Sequence, residues 1–178
     1  MNEHSDRAEA ARATEAYMAE DRATMTEPAR VFLDAWLASM DGVLDRWRTA
    51  HLPLDFPYDF TLDSLDALEP VLLDRYPDRA AVNAGHNTEL TSGAVRYIGE
   101  VLRHAVSSRW GYQDRGEGDP NPYNRVPVVR SNTPAAFMQG VAPEFTLQLL
   151  ARDRERGTLR KFVTPLLDAF EEARQAGH

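Results

Sequence analysis

Glu100 and His104 stand four residues apart in a stretch with helical apolar periodicity, and Tyr97 and Arg103 lie within one turn of them. A carboxylate beside an imidazole raises the imidazole pKa and orients its proton, which is what a general base or a pair of metal ligands requires. The competing reading makes Arg96, Glu100, Arg103 and His104 a solvated ladder of i,i+3 and i,i+4 contacts. His86 and Glu89 open the same stretch and add nitrogen and oxygen donors. Along one unbroken helix, however, positions 86 and 104 lie about 27 Å apart, too far for one ion.

Asp114, Glu117 and Asp119 suggest calcium only superficially. Glycines interrupt the run and no closing glutamate completes a twelve-residue loop, so an acidic turn is expected. Arg152, Arg154, Arg156, Arg160 and Lys161 outnumber Asp153 and Glu155, a local cationic excess that suits a helix end or an acidic partner. The most partner-like segment holds Arg109, Trp110, Tyr112, Arg115, Tyr123 and Arg125, because Trp, Tyr and Arg dominate interface hot spots. Trp110 is expected in the core, and the candidate partner-binding residues are Arg109, Tyr112, Arg115, Tyr123 and Arg125.

Several chemistries are excluded. The chain has no cysteine, hence no disulfide, thiolate metal site or thiol nucleophile. Lys161 is the sole lysine and lies in no Gly-x-x-x-x-Gly-Lys-Ser/Thr phosphate loop. No serine sits in Gly-x-Ser-x-Gly, no His-Glu-x-x-His occurs, and Gly116-Glu117-Gly118 lacks the strand and helix of a dinucleotide fingerprint. No cofactor is expected.

The elements that must position these residues follow from periodicity. Residues 1–26 are rich in Ala, Glu and Arg and hold few large apolar side chains, which predicts an acidic helical extension, mobile or loosely docked. Residues 27–178 then form a single domain. Phe32, Trp36, Met40, Val43 and Trp47 predict one core helix, with Pro28 in its first turn. An extended segment with Pro53 and Pro57 follows, confined to an edge or a connection. A helix capped by Asp63 or Ser64 buries Leu65, Leu68, Leu72 and Tyr76, and Pro70 kinks or splits it.

Residues 88–106 form a second strong helix, capped by Asn87, with Leu90, Ala94, Tyr97 or Ile98, Val101 and Ala105 as its stripe. Strands at 109–113 and 126–130 flank a Gly/Asp/Pro/Asn-rich loop, and Pro127 keeps the second from a central position. Helices over 143–156 and 158–173 close the chain, the latter burying Leu159, Phe162, Leu166, Phe170 and Ala173 and restarting at Pro165 behind Thr164. The fold class expected is α+β, four to five helices on a small antiparallel sheet.

Composition bounds the partners. At 178 residues and 43% hydrophobic, one core suffices. The net charge of −8 argues against generic binding to nucleic acid or anionic membrane. No apolar run is long enough to span a bilayer, and the first residues lack a signal-peptide pattern, so a cytoplasmic location is expected.

The run from Gly93 to Leu102, the Arg109-Trp110 pair, Val128-Val129 and the basic stretch Arg152 to Arg156 resemble uncharacterised bacterial domains. These carry a Gly-x-x-Ile-Gly-Glu-Val-Leu helix, a following strand with a Trp, and a C-terminal helix pair. The resemblance spans residues 88–170 and rests on core glycines and aliphatics. Some of these domains look like immunity or adaptor modules that neutralise a partner by surface contact. It implies a fold more than a function, and lends support to a non-enzymatic interaction protein, immunity-like or regulatory, that binds a protein partner through its acidic surface and hairpin loop, with self-association open. The alternative is a small hydrolase or metal-dependent enzyme using Glu100 and His104.

Overall fold

The computed structural model describes residues 3–86, 88–132 and 140–175. In chain order they form α1 (Glu3–Ala23), α2 (Glu27–Ala38), α3 (Met40–His51), α4 (Leu62–Arg75), α5 (Arg79–Ala84), α6 (Glu89–Ala105), β1 (Ser108–Gly111), β2 (Val128–Ser131), β3 (Gly140–Val141), α7 (Pro143–Asp153) and α8 (Thr158–Gln175). The class is α+β. Its helices outnumber the expected four or five, because the first core helix divides and short α5 forms in what reads as a connector.

α6 is the centre of the molecule and packs against α3, α4, α7, α8, β1 and β2. Two glycines make this possible. A Cβ on Gly93 would lie 2.0 Å from the Trp47 ring, and one on Gly99 would lie 2.2 Å from the Trp110 ring, so both indoles rest on bare helix backbone. Burial therefore extends around the helix beyond the predicted stripe. Arg96 and Glu100, expected on a solvated ladder, are only 4% and 8% exposed, whereas Ala105 faces solvent. Thr88 caps the helix by accepting from the Thr91 amide, and Asn87, the expected cap, lies outside the described residues.

The helix predicted across residues 27–47 breaks at Ser39. Its hydroxyl donates to the Trp36 carbonyl at 3.1 Å, a local bond that competes with the helical ladder. The break turns the buried face of α2 to Ala29 and Leu33 and sets Met40, Leu44 and Trp47 of α3 along α6, while Phe32 and Val43 stay partly exposed. Arg96 fills the elbow. Its guanidinium lies over the Trp36 ring at 3.5 Å and donates to Ser92 and Ser39 hydroxyls, with no carboxylate partner among the described residues.

The segment from Leu52 to Phe60 is an irregular connection with no strand. Its alternation survives as a ring of aromatics: Phe56, Tyr58 and Phe60 surround Tyr97 at centroid distances of 5.7, 5.1 and 5.0 Å. The Tyr97 hydroxyl donates to Ser64 Oγ at 2.8 Å. Thr61, not Asp63 or Ser64, caps α4, which runs unbroken through Pro70. α8 likewise continues through Pro165, burying Leu159, Val163 and Leu166. Ala173 of its predicted stripe has no described side chain. α7 ends earlier than predicted because Arg154 turns left-handed, at φ 54°, and donates to the Leu73, Tyr76 and Pro77 carbonyls at the end of α4.

Buried phenols make the fold sensitive to alkali. Burial, helped by Tyr97, pushes Tyr58 up to about 12, and burial also raises Tyr76 and Tyr97. A group whose folded pKa exceeds its unfolded value stabilises fully below the unfolded value and loses that contribution as pH rises through the folded one. Arg96 opposes this: burial and the neighbouring Arg46 lower it to about 10, so its folded form sheds a proton more readily than its unfolded form. Burial raises Tyr112 as well, so with four phenols against one guanidinium the urea midpoint is expected to fall between about pH 10 and about pH 12, and to fall less steeply in Tyr58→Phe. A flat or rising midpoint contradicts this.

β1 and β2 pair antiparallel, with Arg109 opposite Arg130 and Trp110 opposite Val129, and β3 adds to β2. The strand pair predicted at 109–113 and 126–130 forms with its ends shifted. Against the expectation drawn from Pro127, β2 is the central strand; Pro127 falls just outside the ladder, where its missing N–H costs nothing. β3 was not predicted; two residues carry too little pattern. Alternation along β1 and β2 turns Trp110 and Val129 towards α6 and leaves Arg109 and Arg130 on the other face.

Candidate binding cleft

Two arginines directly opposite on neighbouring strands repel, and such a pair needs an anion between them. Asp21, near the end of α1, supplies it. Its Oδ2 accepts from Arg109 at 2.7 Å and its Oδ1 accepts from Arg130 at 3.2 Å. Arg109 also donates to the Ser131 carbonyl at 2.8 Å and lies over the Tyr17 ring. Arg22, next to Asp21, pairs with Asp34 of α2 at 2.8 Å. The acidic extension is the helix α1, and these ion pairs lie at its C-terminal end.

Between the end of α1, the length of α2 and the face of β1 lies a cavity of about 440 Å³, within the size range of small-molecule sites. Its walls include Met18, Met25, Leu33, Leu37, Trp110 and Tyr112. Arg22, Arg103, Arg109, Arg115 and Arg130 ring it, against Asp21 and Asp114. On a chain of net charge −8 this is a cationic enclave.

Glu100 fixes two residues of the lining, Trp110 and Arg103. Its Oε1 accepts from Trp110 Nε1 at 2.7 Å, and both carboxylate oxygens accept from Arg103 at 3.0 Å. His104 is exposed and stacks on Phe60 at 4.8 Å, with no bond to Glu100. The candidate catalytic pair is thus separated: the carboxylate clamps an indole and the imidazole lies on another face. The other proposed metal donors also disperse. His86 Nδ1 lies 2.6 Å from Glu144 Oε1, and Glu89 meets Arg46 and His51. Among the described residues no three His, Asp or Glu side chains gather as a metal site.

The partner-binding candidates fall into two groups. Arg109 is spent on Asp21 and Ser131. Tyr112 is 7% exposed and stacked on Phe32 at 3.8 Å, its phenol pushed up chiefly by burial, so neither presents a free surface. Arg115, Tyr123 and Arg125 belong to the loop after β1, which is ordered by its own side chains. Asp114 Oδ1 accepts from the Gly116 amide and from Arg125 Nε, which lowers its pKa. Asp119 and Asn121 accept from amides two residues on, and Asn124 bonds the Arg115 amide and the Gly116 carbonyl. Thr26 Oγ1 ties the loop to α2 through the Asp114 carbonyl at 3.0 Å.

The acidic turn expected at Asp114 to Asp119 is therefore built from Asx bonds. Tyr123 stays 45% exposed against Phe145, and the Arg115 side chain makes no hydrogen bond or ion pair among the described residues. The basic run near the C-terminus is mostly consumed: Arg152 pairs with Asp153, Arg154 caps α4, and Arg160 bridges Asp63 and Asp66. Sequence reasoning missed Asp21 and Arg130; a carboxylate 88 residues before Arg109 leaves no local signal. No helix among the described residues is long and apolar enough to cross a membrane. No protein-family model, curated protein or solved structure matches this chain.

Proposed function

We propose that the chain is a non-enzymatic interaction protein, immunity-like or regulatory, that recognises a protein partner through the loop between β1 and β2. The carrying observation is the loop's preorganisation. Asp114, Asp119, Asn121 and Asn124 spend their side chains on the loop's own backbone, so Arg115 and Tyr123 are offered outward from a fixed frame. Ordering costs are met on folding and are not charged again on binding. Long ordered loops of this kind commonly serve recognition. The hydrolase alternative is disfavoured by Glu100, whose oxygens are committed to Arg103 and Trp110. A cytoplasmic setting suits a cysteine-free chain.

The test compares wild type with Arg115→Ala and Tyr123→Ala in quantitative affinity capture, followed by titration of the protein recovered. Each substitution is expected to weaken that complex about tenfold or more at an unchanged melting temperature. Equal recovery of every co-purifying protein by wild type and both variants defeats the proposal.

A further inference from the structure

We infer that the cleft beneath α1 binds a small amphipathic carboxylate, an acyl or aryl acid whose charged end meets Arg130 and Arg109 while its apolar body lies between α2 and Trp110. This site shares Arg115 with the loop surface proposed above but does not depend on that reading.

Charge supplies the first argument. One carboxylate, Asp21, serves two guanidiniums, so the Arg109–Arg130 pair retains an uncompensated positive charge. Arg130 spends a single N–H on Asp21, and its remaining donors have no partner among the described residues. Arg115, on the same wall, contributes a second cation without a carboxylate of its own. The other acid of the lining, Asp114, is held by the Gly116 amide and by Arg125. Arg22 and Arg103 are already matched to Asp34 and Glu100.

Geometry supplies the second. Asp21 places one oxygen on each arginine, so the pair is already set to receive a carboxylate. Arg130 is held close across β1, where a Cβ on Gly111 would come within 3.2 Å of its Nε. The third argument is the lining. Met25, Leu33, Leu37 and Trp110 line a space of about 440 Å³, and the glutamate bond from Trp110 Nε1 leaves the indole no polar demand on a ligand. A fully hydrated inorganic anion would gain nothing from those walls, whereas an acid with an apolar body uses both features.

Isothermal titration with decanoate, and with decanol as its uncharged counterpart, tests the site. Decanoate is expected to bind one per chain, about tenfold or more tighter than decanol. Arg130→Gln removes the less committed guanidinium while keeping the Asp21–Arg109 pair that holds α1, and is expected to weaken decanoate about tenfold. Leu37→Glu, at a position already 42% exposed, places a carboxylate at the apolar mouth and is expected to weaken decanoate about tenfold without unfolding the chain. Equal affinity for decanoate and decanol overturns the proposal, as does a decanoate affinity that Arg130→Gln leaves unchanged. Loss of the loop's partner in Tyr123→Ala bears on the protein interface alone, because Tyr123 does not line the cleft, and neither Arg130 nor Leu37 belongs to the loop.

Discussion

Gly99→Ala is expected to destabilise the protein by about 3 kcal/mol or more, the upper range for forcing extra atoms into a packed core. The added methyl would lie 2.2 Å from both Cη2 and Cζ2 of Trp110 and 3.1 Å from Val129 Cγ2. The indole cannot slide away cheaply. Its Nε1 is bonded to Glu100, and its ring meets Trp36 edge-on at 5.5 Å. Any accommodation must separate α6 from the sheet or push Trp110 into the cleft, so the same variant is expected to lose decanoate binding. Thermal denaturation reads the first effect, and a melting temperature at least about 6 °C below wild type is the expected result. Gly42→Ala is the matched control. That glycine lies inside α3 with only Arg46 Nη1 nearby at 3.6 Å, so alanine is expected to stabilise by about 0.5 to 1 kcal/mol. If both variants moved stability alike, the close approach at Gly99 would carry no energetic weight.

That contrast shows what a sequence reveals here and what it conceals. Period alone located α6, the strand pair around the polar loop and the two C-terminal helices, because apolar spacing reports directly on local geometry. Period does not say how many faces of a helix are covered. Arg96 and Glu100 read as solvated because charged residues usually are; they are buried because Gly93 and Gly99 let two tryptophans approach the same helix, and because Trp36 and Trp110 offer a ring face and an N–H as partners. Ser39 broke a helix that hydrophobic spacing alone would continue, since its hydroxyl competes for backbone within one turn.

The candidate site divides on the same principle. The loop was legible because Asp, Asn and Gly announce turn chemistry locally. Arg115 and Tyr123 kept the exposure that a recognition role requires. Arg109 and Tyr112 did not, because β1 is short and both lie where α1 and α2 cover it. The cleft itself could not be anticipated. It depends on a cross-strand register that opposes Arg109 to Arg130 and on the docking of a helix whose own sequence gives little reason to dock. Long-range charge pairing carries no period and so leaves no trace in a local window.

Glu69 provides the other large effect. It sits on the leucine face of α4, 1% exposed, where an unpaired carboxylate would be costly. Its two oxygens accept from the Gly157 and Leu159 amides, each at 2.7 Å, at the start of α8. A residue from another helix thus performs the task that a capping serine or aspartate performs locally, and its negative charge complements the positive end of the α8 dipole. Glu69→Ala removes both acceptors and leaves two amide N–H groups without them in a packed interface. The cost is expected to be about 3 kcal/mol, two unsatisfied donors partly offset by the relief of burying no charge. Glu69→Gln keeps one acceptor oxygen but turns an amide NH₂ towards a backbone N–H, so an intermediate loss is expected. Urea denaturation of the three proteins tests that order. A glutamine variant as stable as wild type would show that the charge contributes nothing, and an alanine variant within about 1 kcal/mol of wild type would show that α8 is held by Leu159, Val163 and Leu166 alone.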